Sequence, residues 1–107
     1  MGLLIYDDQL KVEIDDRTLA HLQAVIFEKL RAHEGFSLTL DDDEHEVSVW
    51  LNARTAIEFV FRDARAVILN QEWLDVLTLA ADSDGGLWVV AEPDLDAELD
   101  EFFKGAH

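Results

Sequence analysis

The chain contains no cysteine, so disulfide bonds and thiolate chemistry are excluded. It contains one proline, Pro93, which is expected to interrupt regular secondary structure at that position. Long apolar runs are also missing. Residues 1–8 have no basic region and only a brief apolar run. We therefore expect neither a signal peptide nor a membrane span, and we expect the protein to be cytoplasmic.

Basic residues are scarce, since 24 Asp and Glu oppose 8 Lys and Arg and give a formal charge of −16. A surface this negative repels phosphate backbones and anionic membranes, so we expect no direct nucleic-acid or membrane partner. Solubility is sufficient to account for such a charge. It is also compatible with adaptation to high salt, or with an acidic surface that meets a basic protein, for example by mimicking nucleic acid.

The 107 residues, half of them hydrophobic, suit one folded domain with its own core. We assign residues 1–92 to a single α+β domain. Residues 93–107 are predicted to be an acidic, amphipathic C-terminal segment, which Asp94 could cap as a short helix.

The best-marked element is a helix that begins at Asp15 or Asp16, either of which can cap its first turn. Its apolar stripe recurs at spacings of three and four and consists of Leu19, Leu22, Ile26 and Leu30. The pattern places Arg17, His21, Ala24, Glu28 and Arg31 on the opposite, polar face. Gly35 is predicted to end this helix in a left-handed conformation.

Strands are predicted from alternating apolar residues at 3–6, 10–14, 36–40, 47–51, 57–61 and 87–91, and a second helix at about 70–82. The order is β-β-α-β-β-β-α-β, followed by the helical C-terminal segment. The three middle strands are expected to form an antiparallel meander. The predicted fold is a two-layer α+β domain with two helices on one face of a mostly antiparallel sheet.

The segment Asp15–Gln23, with Val25-Ile26 and Lys29-Leu30-Arg31 after it, resembles a family of small actinobacterial proteins of unknown function. Similar residues fall at Met1-Gly2, Tyr6-Asp7, Phe36, Trp50-Leu51, Trp73, Gly86-Leu87 and Glu92-Pro93. The resemblance covers roughly residues 1–93 and implies a shared fold, but no active site.

Members of that family often carry the label "ATP-dependent DNA ligase", which the chain does not support. Such enzymes need a nucleophilic lysine in a Lys-x-Asp-Gly motif. The only lysines, Lys11, Lys29 and Lys104, lie in other contexts. The chain is also too short for an adenylation domain and too acidic to grip duplex DNA.

Other catalytic and metal-binding patterns are absent from the sequence. The acidic run 41–46 has no glycine for a calcium-loop turn, and no pair of histidines has zinc-helix spacing. No serine lies in a hydrolase motif, and no glycine-rich loop precedes a helix. We therefore expect no catalytic residues, no metal site and no cofactor.

The alternation of the strands points to an apolar outer face. Residues expected to face the helices are Leu38, Leu40, Val47, Val49, Leu51, Ile57, Phe59 and Phe61. Trp50 and Val60 then face the other way, and Trp88 with Val90 can join them. Three covers are possible: the C-terminal stripe of Leu95, Leu99, Phe102 and Phe103, the same surface of a second subunit, or a different protein.

The sequence thus predicts a non-catalytic module for protein–protein interaction or self-assembly, with partner contacts at Trp50, Val60, Trp88, Leu95, Leu99, Phe102 and Phe103. Two alternatives stay open. One is an acidic nucleic-acid mimic or inhibitor that binds a basic protein. The other is a small-ligand-binding protein or an enzyme of unrecognised class.

Overall fold

A computed structural model describes residues 1–41, 44–63 and 67–93 of the chain. The strands are β1 (Gly2–Tyr6), β2 (Leu10–Ile14), β3 (Phe36–Asp41), β4 (Glu46–Leu51), β5 (Ile57–Val60) and β6 (Leu87–Trp88). The helices are α1 (Asp16–Arg31) and α2 (Gln71–Asp82). The predicted order of elements and the α+β class are confirmed.

The strands form two three-stranded sheets, ordered β2-β1-β5 and β4-β3-β6. The predicted single meander is therefore wrong, because β5 pairs antiparallel with β1 instead of with β4. A turn around Asn52 and Thr55 redirects the chain, and the amide of Asp7 donates to the carbonyl of Ala56 at 2.7 Å. Alternation predicts which face of a strand is buried, but it carries no information about the neighbouring strand.

One hydrophobic core joins both sheets and both helices. Its fully buried members include Leu4 of β1, Leu38 of β3 and Leu77 of α2. Strand β6 lies parallel to β3, an arrangement that requires a crossover connection, which α2 supplies. The sheets are also joined at the surface, since the Tyr6 hydroxyl of β1 donates to the Trp50 carbonyl of β4 at 3.2 Å.

The start of α1 follows the predicted capping pattern. Asp15 is the cap, and its carboxylate accepts from the amide of Thr18 at 3.0 Å. The adjacent Asp16 has a different task, because its carboxylate accepts from the amides of Arg62 and Asp63 after β5. Leu19, Leu22 and Ile26 are buried as the stripe predicts.

The end of α1 differs from the prediction that Gly35 is the left-handed stop. His33 has the positive φ, 60°, and its amide donates to the carbonyl of Leu30. The amide of Glu34 donates to the carbonyl of Lys29, which completes a Schellman motif. Ending the helix two residues earlier lets Phe36 enter β3 with its side chain in the core.

Lys29 is buried on α1 and links the ends of the two helices. Its ammonium pairs with the carboxylates of Asp82 at the end of α2 and Glu34 after α1. The hydrogen bond to Asp82 is the main cause of the raised pKa of Lys29.

We predict that His33→Gly stabilises the protein by about 1 kcal/mol, because glycine adopts a positive φ without the steric cost of a β carbon. Urea denaturation followed by circular dichroism measures the change. His33→Ala is the matched control: it removes the exposed imidazole, retains the β carbon and should bring no gain. Equal stability of the two variants would contradict this account of the helix end.

Candidate interaction surface

The outward face of the β4-β3-β6 sheet carries two tryptophans, and we call Ser37, Thr39, Ser48, Trp50 and Trp88 the tryptophan face. Trp50 lies opposite Ser37 in the β3–β4 ladder. Thr39 lies between Ser48 on one side and Trp88 on the other. Both indoles therefore project from the same face of the sheet, and they belong to the two strands that flank the central strand β3.

The two indoles are largely exposed, with 58% of Trp50 and 48% of Trp88 accessible. The indole of Trp50 lies against the backbone at Gly35, where a β carbon would be 2.8 Å from its Cζ2 atom. At the other edge, Gly86 lies against Ser37, and a β carbon there would collide with the Ser37 hydroxyl and carbonyl. Two close approaches to glycine thus shape the borders of this face.

The centre of the tryptophan face is neutral. The hydroxyls of Thr39 and Ser48 are 2.8 Å apart and bond to each other across the ladder. No part of the described chain buries either indole. An aromatic pair on a neutral surface is the composition found at the centre of protein–protein interfaces.

One end of the tryptophan face is acidic, and we call Glu13, Asp15, Asp41 and Glu46 the acidic rim. Asp41 and Glu46 are direct cross-strand neighbours on the same side of the sheet as the indoles. Glu13 and Asp15 line a cavity of about 570 Å³ together with Asp41, Glu46 and Trp88. Carboxylates placed directly opposite each other repel, so this end favours a positive group.

Val60 does not share the tryptophan face. It lies in the β2-β1-β5 sheet, opposite Leu3 of β1, where 45% of it is exposed. The expected grouping with Trp50 assumed one continuous sheet. Val90 is also placed differently, since it packs against the core and its carbonyl accepts from Trp73 Nε1 at 2.7 Å.

The remaining predicted contact residues, Leu95, Leu99, Phe102 and Phe103, lie outside the described residues. Their role as partner contacts stays a prediction, as does the division of the chain at residue 93.

Arg17 of α1, Asn70 and Glu92 form a polar cluster that the sequence patterns did not predict, and we call it the Arg17 clasp. Two nitrogens of Arg17 donate to the two carboxylate oxygens of Glu92, at 2.8 and 2.6 Å. A third Arg17 nitrogen donates to the carbonyl of Ile68 at 3.1 Å. The side-chain amide of Asn70 donates to Glu92 at 3.0 Å, and its oxygen caps α2.

His21 is buried beside the clasp, so its predicted position on an exposed polar face is wrong. The amide of Asn70 donates to Nε2 at 2.8 Å, while Nδ1 lies 2.7 Å from the carbonyl of Arg17. These partners require the neutral ring with its proton on Nδ1. The ring also packs on Trp73, with centroids 4.4 Å apart. The segment before α2 covers this side of α1, and periodicity within α1 cannot reveal that cover.

The hydrogen bonds from Arg17 and then Asn70 lower the pKa of Glu92 from 4.5 to about 2. The same bond raises the pKa of Arg17. A carboxylate whose pKa is lowered by folding stabilises the native state above its ordinary pKa and loses that contribution as the pH falls. Trp88 lies four residues before Glu92, so the clasp holds the strand that carries it.

Arg17, Glu92 and Lys29 all bond to other parts of the chain. Within the described ranges, no group of three or more His, Asp and Glu side chains is arranged to hold a metal ion. No helix in these ranges is long and apolar enough to cross a membrane.

We predict that Glu92→Gln removes a pH-dependent part of the stability. The difference in unfolding free energy between wild type and variant should be constant above pH 4.5 and shrink as the pH falls towards about 2, the two pKa limits of Glu92. Urea denaturation at a series of pH values measures it, and subtraction cancels the other carboxylates. A difference that does not change with pH would contradict the role of the clasp.

A protein-family model described as Domain of unknown function (DUF7882) matches residues 1–92 of the chain. No curated protein and no solved structure matches it.

Proposed function

The chain belongs to this family of unknown function, and we propose that it is a non-catalytic module that binds another protein through the tryptophan face. The observation that carries the proposal is the exposure of Trp50 and Trp88 on one side of a single three-stranded sheet. Exposure of large indoles to water is unfavourable, and a partner that covers them would gain the free energy of burying their apolar surface.

The geometry of the face supports a protein as the occupant. Tryptophan contributes most when it is central and surrounded by uncharged groups that exclude water. Ser37, Thr39 and Ser48 provide such a setting between the two indoles. An indole on a pleated sheet also has few rotatable bonds to immobilise when the complex forms.

The hydrogen bonds and ion pairs of four ionisable side chains support a non-catalytic role. Arg17 and Glu92 bond to each other, and both ring nitrogens of His21 have backbone partners. Lys29, which is buried, is paired with two carboxylates. None of these four groups is left available as an acid, a base or a nucleophile.

The charge of the chain supports a partner of a different kind over a second copy. Two chains that each carry −16 repel, whereas a basic protein is attracted. The same charge argues against nucleic acid or an anionic membrane as the binding partner. Cytoplasmic residence, expected from the sequence, is part of the proposal.

We predict that the double variant Trp50→Ala/Trp88→Ala loses its partner in affinity capture from the native host. The matched control is Leu79→Ala on α2, which removes an apolar side chain that is 71% exposed but lies away from the sheet. Wild type and the control should capture the same protein, which is then identified by mass spectrometry. Binding should weaken at least about 30-fold in the double variant if the indoles are central contacts.

Sedimentation equilibrium of the purified variants tests self-association in parallel. A dimer that becomes monomeric in the double variant would support contact through the tryptophan face with a second copy as the partner. A partner that the double variant captures as well as wild type does would overturn the proposed function.

A further inference from the structure

Strand β4 lies at the edge of its sheet. Its neighbour is β3, and β3 pairs on its other side with β6. An edge strand presents backbone N–H and C=O groups that have no partner in their own sheet. Since Trp50 belongs to β4, this open edge borders the tryptophan face directly.

The side-chain contacts show which backbone N–H and C=O groups of β4 point away from β3, towards the open edge. The hydroxyls of Thr39 and Ser48 are 2.8 Å apart, which is typical of the narrow antiparallel pair whose backbone groups point away from each other. The carbonyl of Trp50, two residues further on, accepts from Tyr6 of the other sheet. Both observations place the N–H and C=O of Glu46 and Ser48 on the open side.

Within the part of the chain that the structure describes, the open edge lacks several of the features by which proteins protect such strands. It has no proline, no lysine and no bulge along its six-residue ladder. Within the described ranges, no hydrogen bond is recorded to the outward backbone groups of Glu46 or Ser48. Among the described residues, the edge is closed at the end where the Tyr6 hydroxyl donates to the Trp50 carbonyl.

The charge near this edge selects the side chains of an added strand. Glu46 is on β4 itself, and Asp41 lies opposite it. The other two carboxylates of the acidic rim, Glu13 and Asp15, line the neighbouring cavity with Trp88. A lysine or arginine placed here would relieve the repulsion between Asp41 and Glu46 and could also contact an indole face.

We propose that the partner binds by adding one extended, basic segment to the open edge of β4. This inference rests on the proposed function and names the part of the partner that binds. From Glu46 to Trp50 the edge accommodates about five residues at about 3.4 Å each. Alternate side chains of that segment lie on the tryptophan face and beside the acidic rim, while its backbone bonds to Ser48 and Glu46.

The probe is the capped peptide Lys-Val-Lys-Val-Lys, titrated into the full-length protein and followed by NMR. We expect the amide proton of Ser48 to become protected from exchange with solvent, which side-chain contact alone would not cause. Two control peptides isolate the cause. One is N-methylated at two adjacent central residues, which blocks both of its edges, and the other has glutamate in place of lysine. Both should bind at least about tenfold more weakly.

Variants at Ser48 give a second, independent readout. Ser48→Pro removes the outward N–H without removing a bond to β3, whereas Ser48→Ala retains this donor and removes only the hydroxyl. Ser48→Pro should weaken peptide binding about tenfold, and Ser48→Ala should bind like wild type. If Ser48→Pro does not fold, the N-methylated peptide on the wild-type protein provides the same test.

Several outcomes would overturn strand addition: no binding of the basic peptide, equal binding of the N-methylated peptide, or no protection of Ser48. A wild-type dimer that Ser48→Pro dissociates and Ser48→Ala leaves intact would overturn it in favour of a second copy. Failure of this inference differs from failure of the proposed function. In the first case the natural partner is still lost from Trp50→Ala/Trp88→Ala, whereas in the second it is retained.

Discussion

The bidentate ion pair between Arg17 and Glu92 helps to fix the last strand, because it ties the chain that follows β6 to α1. Strand β6 has only two residues and pairs with β3 alone, so its ladder contributes little to its own stability. The chain beyond it is held by the Trp73 indole at Val90 and by the Arg17 clasp at Glu92. The exposed Trp88 is thus held by the buried Leu87 beside it and by a polar cluster four residues further along the chain, two of whose members, Arg17 and Asn70, are distant in sequence.

The division of the strands between two sheets has a second consequence. Had β5 paired with β4, the edge of β4 would be covered and Trp50 would lie in the interior of a wider sheet. Because β5 joins β1 instead, β4 stays at the edge of its sheet, and the bond from Tyr6 to the Trp50 carbonyl links the two sheets at the surface. An open edge beside exposed indoles, close to facing carboxylates, is a combination that suits a basic extended chain.

Local patterns in the sequence predicted much of this fold. A cap at Asp15 or Asp16, the buried stripe of Leu19, Leu22 and Ile26, and the element order could all be predicted, because each depends on neighbours within a few residues. The outward direction of Trp50 and Trp88 was readable for the same reason, since a strand alternates with a period of two. The direction of these two side chains was thus predicted, while Val60 was grouped with them on a false assumption of sheet continuity.

The long-range contacts could not be read in this way. The left-handed residue at the end of α1 is His33, and not Gly35 as the sequence had predicted. This earlier helix end allows Phe36 to be buried at the start of β3. His21 looked like a surface residue until the segment before α2 covered it. Arg17 and Glu92 are 75 positions apart, and a single sequence holds no signal that pairs one acid among 24 with one arginine.

By itself, the sequence determined the class of the fold, the inner face of each element and the strongly negative charge, since these follow from composition and from periods of 2 and 3.6 residues. Only the tertiary structure decided which strands are neighbours, which edge stays open and which polar groups are buried together. These features depend on contacts between segments that are distant along the chain, and the free energy of such contacts is set by how the whole core packs.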